Sequence, residues 1–339
     1  MPEKKVKVET LVLTGKQVRS LLHMEDVLVA VEEAFRQKGL GQVQMPPKTY
    51  LFFPEQDGDL RTMPSYVPEA QVAAVKIVNV HPQNAKYGLR TVMGTLLLVD
   101  PRTGEPMAFM DATHITAMRT GAAGAIAAKY LARPDPKVVG VIGAGSQART
   151  QVLGLVTQYG GFEELRIYDL FAERSEALAK ELAAEYKLEI QRVRAVPTPE
   201  ECVRGADIVA TVTPSRNPII KDEWVSEGTH FNCIGADAPG KEEMDPRILK
   251  RARLVIDDWE QASHSGEINV PLSSGELVKE DVDAEIGEVV AGLKPGRSSP
   301  SEITVFCSTG LAVQDCLTAK LVYEAAMEMG VGKRIDIID

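Results

Sequence analysis

Four short stretches carry residue types whose placement suggests chemistry. In QVAAVKIVNVHP (71–82), Lys76 interrupts an apolar run. On a strand, Ala74, Lys76, Val78 and Val80 share one face, and Val75, Ile77 and Asn79 share the other. Both faces are largely apolar, so a freely solvated lysine does not fit. A buried ammonium needs an anionic partner or loses its proton. Such a group can hold a substrate carboxylate or carbonyl and transfer a proton. An edge lysine snorkelling to water is the other reading. Arg119 lies in THITAMRTGAAGAIAAKYLA (113–132) amid small residues. It reads as a helix-surface charge or as a carboxylate clamp. Asp237 ends the strand-like FNCIGAD before a Pro-Gly turn. It reads as a base or as a turn former.

The fourth stretch is VIGAGSQA (141–148), where Gly143, Gly145 and Ala148 match GxGxxG/A. The pattern alone is weak. Here a β-branched strand precedes it and a helical pattern follows, which is the context a dinucleotide-binding loop needs. Its glycines admit a pyrophosphate, and the amides of the helix start, through Ser146 and Gln147, face the phosphates. Asp169 lies 21 positions after Ala148, at the end of the next strand. A carboxylate there accepts hydrogen bonds from ribose hydroxyls and repels a 2′-phosphate, which favours NAD over NADP. Arg174, nearby in sequence, keeps NADP open.

These residues must be positioned by the elements around them. Residues 14–38 have helical periodicity, opened by Thr14 and Gln17 as a capping box. From Thr49 to Val99 the segments KTYLFF, VAAVKIVNV and TVMGTLLLVD read as strands. PRTGEP closes them as a turn, and the Ala/Gly-rich helix follows, its small residues allowing a backbone or a ligand to come close. After Pro134, strands alternate with helices, which means a parallel doubly wound sheet. EITVFCSTG (302–310) reads as its last strand. Ligands bind beyond the carboxyl ends of such strands. Thr213 and Ser215 follow one strand there, and Asp237 ends another.

Composition sets limits on partners. The 339 residues carry a net charge of −10 with the signs interleaved, which argues against a nucleic-acid partner. Four cysteines show no CxxC spacing and five histidines no HExxH pair, so no metal site is expected. No signal-like segment or membrane-length apolar run is seen, and a cytoplasmic protein is expected.

DATHITAMRTGAAGAIAAKYLA, VIGAGSQA, TPSRNPII, HFNCIGADAPGKEEMD and STGLAVQD together resemble the ornithine cyclodeaminase/μ-crystallin family, most of all its archaeal-type alanine dehydrogenase branch. The resemblance covers nearly the whole chain. It implies an α/β protein with a Rossmann NAD-binding domain at 129–310. A discontinuous α+β substrate and dimerisation domain takes 1–128 and 311–339. Family members are homodimers. The resemblance makes Lys76 and Asp237 the catalytic residues and puts Arg119, Lys48 and Arg61 at the substrate carboxylate. It places Thr91, Thr120, Thr213, Lys241 and Ser308 in segments that contact cofactor or substrate. Cyclodeaminases carry an acid two places before the Met-Pro of LRTMP, where this chain has Arg61. A cation there repels a second substrate amine. The activity implied is NAD-dependent, reversible oxidative deamination of L-alanine to pyruvate and ammonia. Ornithine cyclodeamination, imine or ketimine reduction, and nucleotide binding without turnover are the alternatives.

Overall fold

A computed structural model describes residues 8–338 of the chain. They form two compact units. One comprises the described residues through Arg119 together with those from Leu311 onward, and the other Thr120–Gly310. The division falls inside the helix Thr113–Leu131, whereas the sequence reading put it at 128/129. A continuous helix offers the sequence no punctuation at that point.

In the first unit, strands β1 (Val8–Leu13), β2 (Thr49–Phe53), β3 (Gly58–Val67), β4 (Val72–Val80), β5 (Val92–Val99) and β6 (Pro106–Asp111) join the terminal strand Lys333–Ile338. The sheet order is terminal strand, β1, β6, β5, β4, β3, β2. Strands β2 to β6 form an antiparallel meander, and β1 runs parallel to β6. The helix Ala312–Met329 packs on β3 and β4 and against the helix Met24–Gly39. Residues 14–38 are therefore two helices. Gly15–Leu21 starts at the expected Thr14–Gln17 capping box, and extended backbone at Leu22 and His23 breaks it from Met24–Gly39.

Strand β4 alternates as a half-covered strand should. Ala74, Lys76 and Val78 are buried, while Val75 and Ile77 are 36% and 37% exposed. The lysine points inward and the aliphatic side chains outward. Across the ladder, Val75 faces Leu97, and Leu97 faces Phe109, which is also exposed. The outer face of this sheet is therefore an apolar stripe.

In the second unit, β7 (Val138–Ile142), β8 (Phe162–Tyr168), β9 (Ile190–Ala195), β10 (Ile208–Thr211), β11 (Arg216–Ile220), β12 (His230–Cys233), β13 (Glu242–Met244), β14 (Arg253–Ile256), β15 (Ala284–Glu285) and β16 (Thr304–Cys307) follow in order. Eight of them form a parallel sheet ordered β15-β14-β16-β12-β10-β7-β8-β9, and β11 pairs with β13 apart from it. Every residue of β10, β12 and β16 is buried, as in a sheet covered on both faces. The chain winds outward from β7 to β9 and returns at β10, so β7 and β10 flank the switch point where such sheets bind ligands. The 302–310 strand is last in chain order but lies inside the sheet, between β14 and β12. The small residues of Thr113–Leu131 serve backbone approach: a Cβ on Gly121 would collide with the Thr150 carbonyl, and one on Gly154 would lie 2.6 Å from the Gly121 oxygen.

Candidate functional site

In the first unit, the inward face of β4 meets the start of the helix Ala312–Met329. Lys76 Nζ lies 2.6 Å from Asp315 Oδ2, with both side chains 1% exposed. Arg119 Nε donates to Asp315 Oδ1 at 3.1 Å, and its Nη1 donates to Gln314 Oε1 at 3.3 Å. Arg119 is thus no helix-surface charge. Lys48, half-buried just ahead of β2, adds its positive charge to the surroundings of Lys76. Two cations pair with one carboxylate, and a third acts on Lys76 from nearby. Gln314 Nε2 has no hydrogen-bond acceptor among the described residues, and the ammonium of Lys76 is set against the single oxygen Asp315 Oδ2. Buried donors in excess of their acceptors favour an anion with two oxygens, the chemistry of a carboxylate.

Burial pushes the Lys76 ammonium down to about 7; Asp315 opposes this, while Arg119 and Lys48 reinforce it. The free amine has its ordinary value near 10.5. Between these values the unfolded chain holds a proton that the folded protein has released, so this group makes stability rise with pH across that window. Unfolding by urea at a series of pH values tests this. The stability of wild type relative to a Lys76→Met variant is expected to increase from pH 7 to pH 10. A constant difference would show that the amine titrates normally.

Asp315, at the end of STGLAVQD, is a site residue beyond those expected from the sequence. An acid amid Leu311, Ala312, Val313, Cys316 and Leu317 carries the same signal as a lysine in an apolar strand. Arg61 does not stand alone. It is buried, and its Nε and Nη2 donate to Asp59 Oδ1 and Oδ2 at 2.8 and 3.0 Å. Its guanidinium lies 5.4 Å from the Tyr50 ring centre. Its charge is paired, so a bare repulsive cation is not what this position presents. Thr91 is exposed before β5, its carbonyl accepting from His81 N at 2.8 Å.

In the second unit, Gly143 adopts φ +104°, which only glycine takes without strain. A Cβ there would press on Val212 O at 3.0 Å. Space is open at Gly145, which precedes the helix Ser146–Tyr159. That helix has no side-chain cap and no acid in its first turn, so its leading amides stay available to an anion. Ser146 is exposed and Gln147 half-buried. Asp169 Oδ2 accepts from Ala144 N at 2.8 Å, and Oδ1 from Phe171 N at 3.0 Å. The carboxylate therefore adjoins the glycine turn. Arg174 stacks 4.5 Å over Phe171. These features fit a dinucleotide.

Beyond the strand ends, Thr213 Oγ1 accepts from Ser215 N at 3.3 Å. Lys241 Nζ donates to Asp237 Oδ1 at 2.7 Å, with about a third of the Asp237 side chain exposed. Ser308 is buried, with Oγ 3.5 Å from Asp257 Oδ2. Asp257 also accepts from Thr309 N at 2.6 Å and Gly310 N at 2.8 Å, fixing that turn. The Thr120 carbonyl accepts from Gln151 Nε2 at 2.9 Å. The geometry thus joins Lys76 to Arg119 through Asp315, Asp237 to Lys241, and Thr213 to Ser215.

Residues 8–330 match the model of the ornithine cyclodeaminase/mu-crystallin family. The chain belongs to the ornithine cyclodeaminase/mu-crystallin family. Within this family, it is 51% identical over 328 residues to an alanine dehydrogenase of Archaeoglobus fulgidus, covering 97% of this chain and 98% of the relative. A solved archaeal alanine dehydrogenase dimer with bound NAD superposes with a TM-score of 0.92 at 50% identity, covering 97% of this chain and all of that one. The Δ1-pyrroline-2-carboxylate reductase of Thermococcus litoralis, solved with NADH and L-proline, has a TM-score of 0.92 at 38% identity, covering 96% and 100%. The family thus includes reductases of cyclic imines beside amino-acid dehydrogenases. Their shared frame is a two-domain α/β architecture with an NAD-binding Rossmann sheet.

Proposed function

We propose that this protein is an NAD-dependent L-alanine dehydrogenase. It converts L-alanine, NAD and water to pyruvate, ammonium, NADH and a proton, reversibly. The observation that carries the reading is the buried Lys76–Asp315–Arg119 cluster, whose excess positive charge suits one small carboxylate. Similarity over 97% of the chain to an alanine dehydrogenase supports it.

Arg119 and Lys48 bind the alanine carboxylate, with Arg61 bounding the pocket on its Asp59 support. Lys76 adds a third donor. With a value near 7 it can hold a proton beside a developing oxygen anion and release it at neutral pH. Bound NAD supplies the acceptor for the hydride leaving Cα. Gly143, Gly145, Ser146 and Gln147 cradle its pyrophosphate, and Asp169 its ribose. Thr91, Thr120, Thr213, Ser215, Lys241 and Ser308 line the cofactor. Asp237 is the base, taking the proton from the alkylammonium or from the attacking water. Holding two reactants in register supplies about 7–11 kcal/mol of the barrier.

We read the enzyme as a homodimer joined through the outward apolar stripe of Val75, Ile77, Leu97 and Phe109. Ile77→Asp is expected to yield monomers by light scattering; an unchanged dimer would move the interface elsewhere. Its four cysteines are buried and unpaired, which suits a reducing cytoplasm.

The experiment is NADH formation across a panel of amino acids that includes ornithine and lysine. Alanine is expected to lead, with 2-aminobutyrate and serine behind. Proline formation from ornithine without net NADH would select cyclodeamination instead. Oxidation of NADH by cyclic imines alone would select an imine reductase.

A further inference from the structure

Beneath the loop that carries Asp237 lie two fully buried carboxylates to which the mechanism gives no task. Glu243 Oε1 accepts from Thr213 N and Thr213 Oγ1, both at 2.7 Å. Its Oε2 accepts from Thr211 Oγ1 at 2.7 Å and Gly235 N at 3.0 Å. Each oxygen thus faces one backbone N–H, which can only donate. Glu267 is arranged otherwise. Its Oε1 takes both Glu243 N and Met244 N at 2.7 Å, and its buried Oε2 has no hydrogen-bond partner.

We propose that Glu243, as a carboxylate, and Glu267, as a neutral acid, form a buried positioning pair that fixes the Gly235–Lys241 loop and so the acid–base group Asp237. Glu243 ties the end of β10 to Gly235, two residues before Asp237. Glu267 anchors the backbone of Glu243 itself. Between them, Asn269 accepts from Gly240 N and donates to the Lys241 carbonyl, each at 2.9 Å. The residue at 235 must be glycine because a Cβ would lie 2.6 Å from Glu243 Oε2 and closer still to Thr213.

The ionisation states follow from the donors. Burial pushes both carboxyls up; four hydrogen bonds shared over both oxygens oppose it at Glu243, and two on a single oxygen at Glu267. The charged groups acting on Glu267 are Glu243 and Glu242, both acidic, and neither offsets a second buried negative charge. The thiols of Cys233 and Cys307, on β12 and β16, also feel Glu267 and supply no cation.

The role assigned to Asp237 rests on the proposed function, so the test reads the loop separately from turnover. Glu243→Gln must set an amide NH2 against a backbone N–H in either orientation. Glu267→Gln keeps the doubly accepting oxygen and replaces only the unpartnered atom. Amide hydrogen exchange over residues 235–241 is measured without substrate, beside kcat and the KM for NAD. Glu243→Gln is expected to speed loop exchange and lower kcat by about 10- to 100-fold, with a smaller rise in the KM for NAD through Thr213. Glu267→Gln is expected to match wild type in all three. Thr211→Val, which removes one donor from Glu243, gives a smaller change of the same kind and replaces Glu243→Gln if that variant does not fold. Wild-type exchange and kcat in Glu243→Gln or Thr211→Val, or equal damage from Glu267→Gln, would overturn the pair. Failure of the functional reading shows differently, as wild-type protein inert towards alanine.

Discussion

Lys76→Ala is expected to lower kcat/KM for alanine by on the order of 10³-fold while leaving NADH binding nearly unchanged. The variant loses a carboxylate donor and a proton carrier at once. It also leaves the Asp315 carboxylate buried with Arg119 as its remaining partner. Breaking a buried ion pair costs about 3–5 kcal/mol when one charge is left alone. Arg119 keeps the cost towards the lower end, so the protein should still fold. Steady-state rates with a fluorescence titration of NADH separate the two effects. Undiminished turnover would remove Lys76 from the chemistry.

The second large effect is expected at Asp237. Asp237→Asn keeps an oxygen to accept from Lys241 Nζ, so the loop contact survives. The amide cannot take a proton from the substrate. Loss of general base catalysis is expected to lower kcat by about 10²- to 10⁴-fold. The KM for alanine should change far less, since the carboxylate is held by other residues. A variant with full kcat would show that Asp237 only shapes its turn.

The chain's architecture was legible because its signals are local. The glycine turn, the capping box at Thr14 and the alternation of β-branched strands with helices each fit within a few tens of residues. Lys76 was legible as a conflict between one charge and its apolar neighbours. Its orientation was not, because both faces of β4 are apolar and only packing against the helix Ala312–Met329 decides which is inside. Asp315 meets Lys76 from 239 positions away, and no periodicity reports such a pairing. Glu243 and Glu267 were hidden for the opposite reason. GKEEMD looks like a solvated acidic run, yet Glu243 is fully buried in a three-residue strand. Arg61 looks like a lone cation in LRTMP, but Asp59, two residues away on the same strand face, pairs with it.

The most direct test of the proposed reaction follows the hydrogen on Cα. Alanine deuterated at Cα is incubated with the enzyme and NAD, and the nucleotide is analysed by mass spectrometry. Deuterium is expected in the NADH formed, in step with pyruvate. Unlabelled nucleotide, or no NADH formed from alanine, would contradict it.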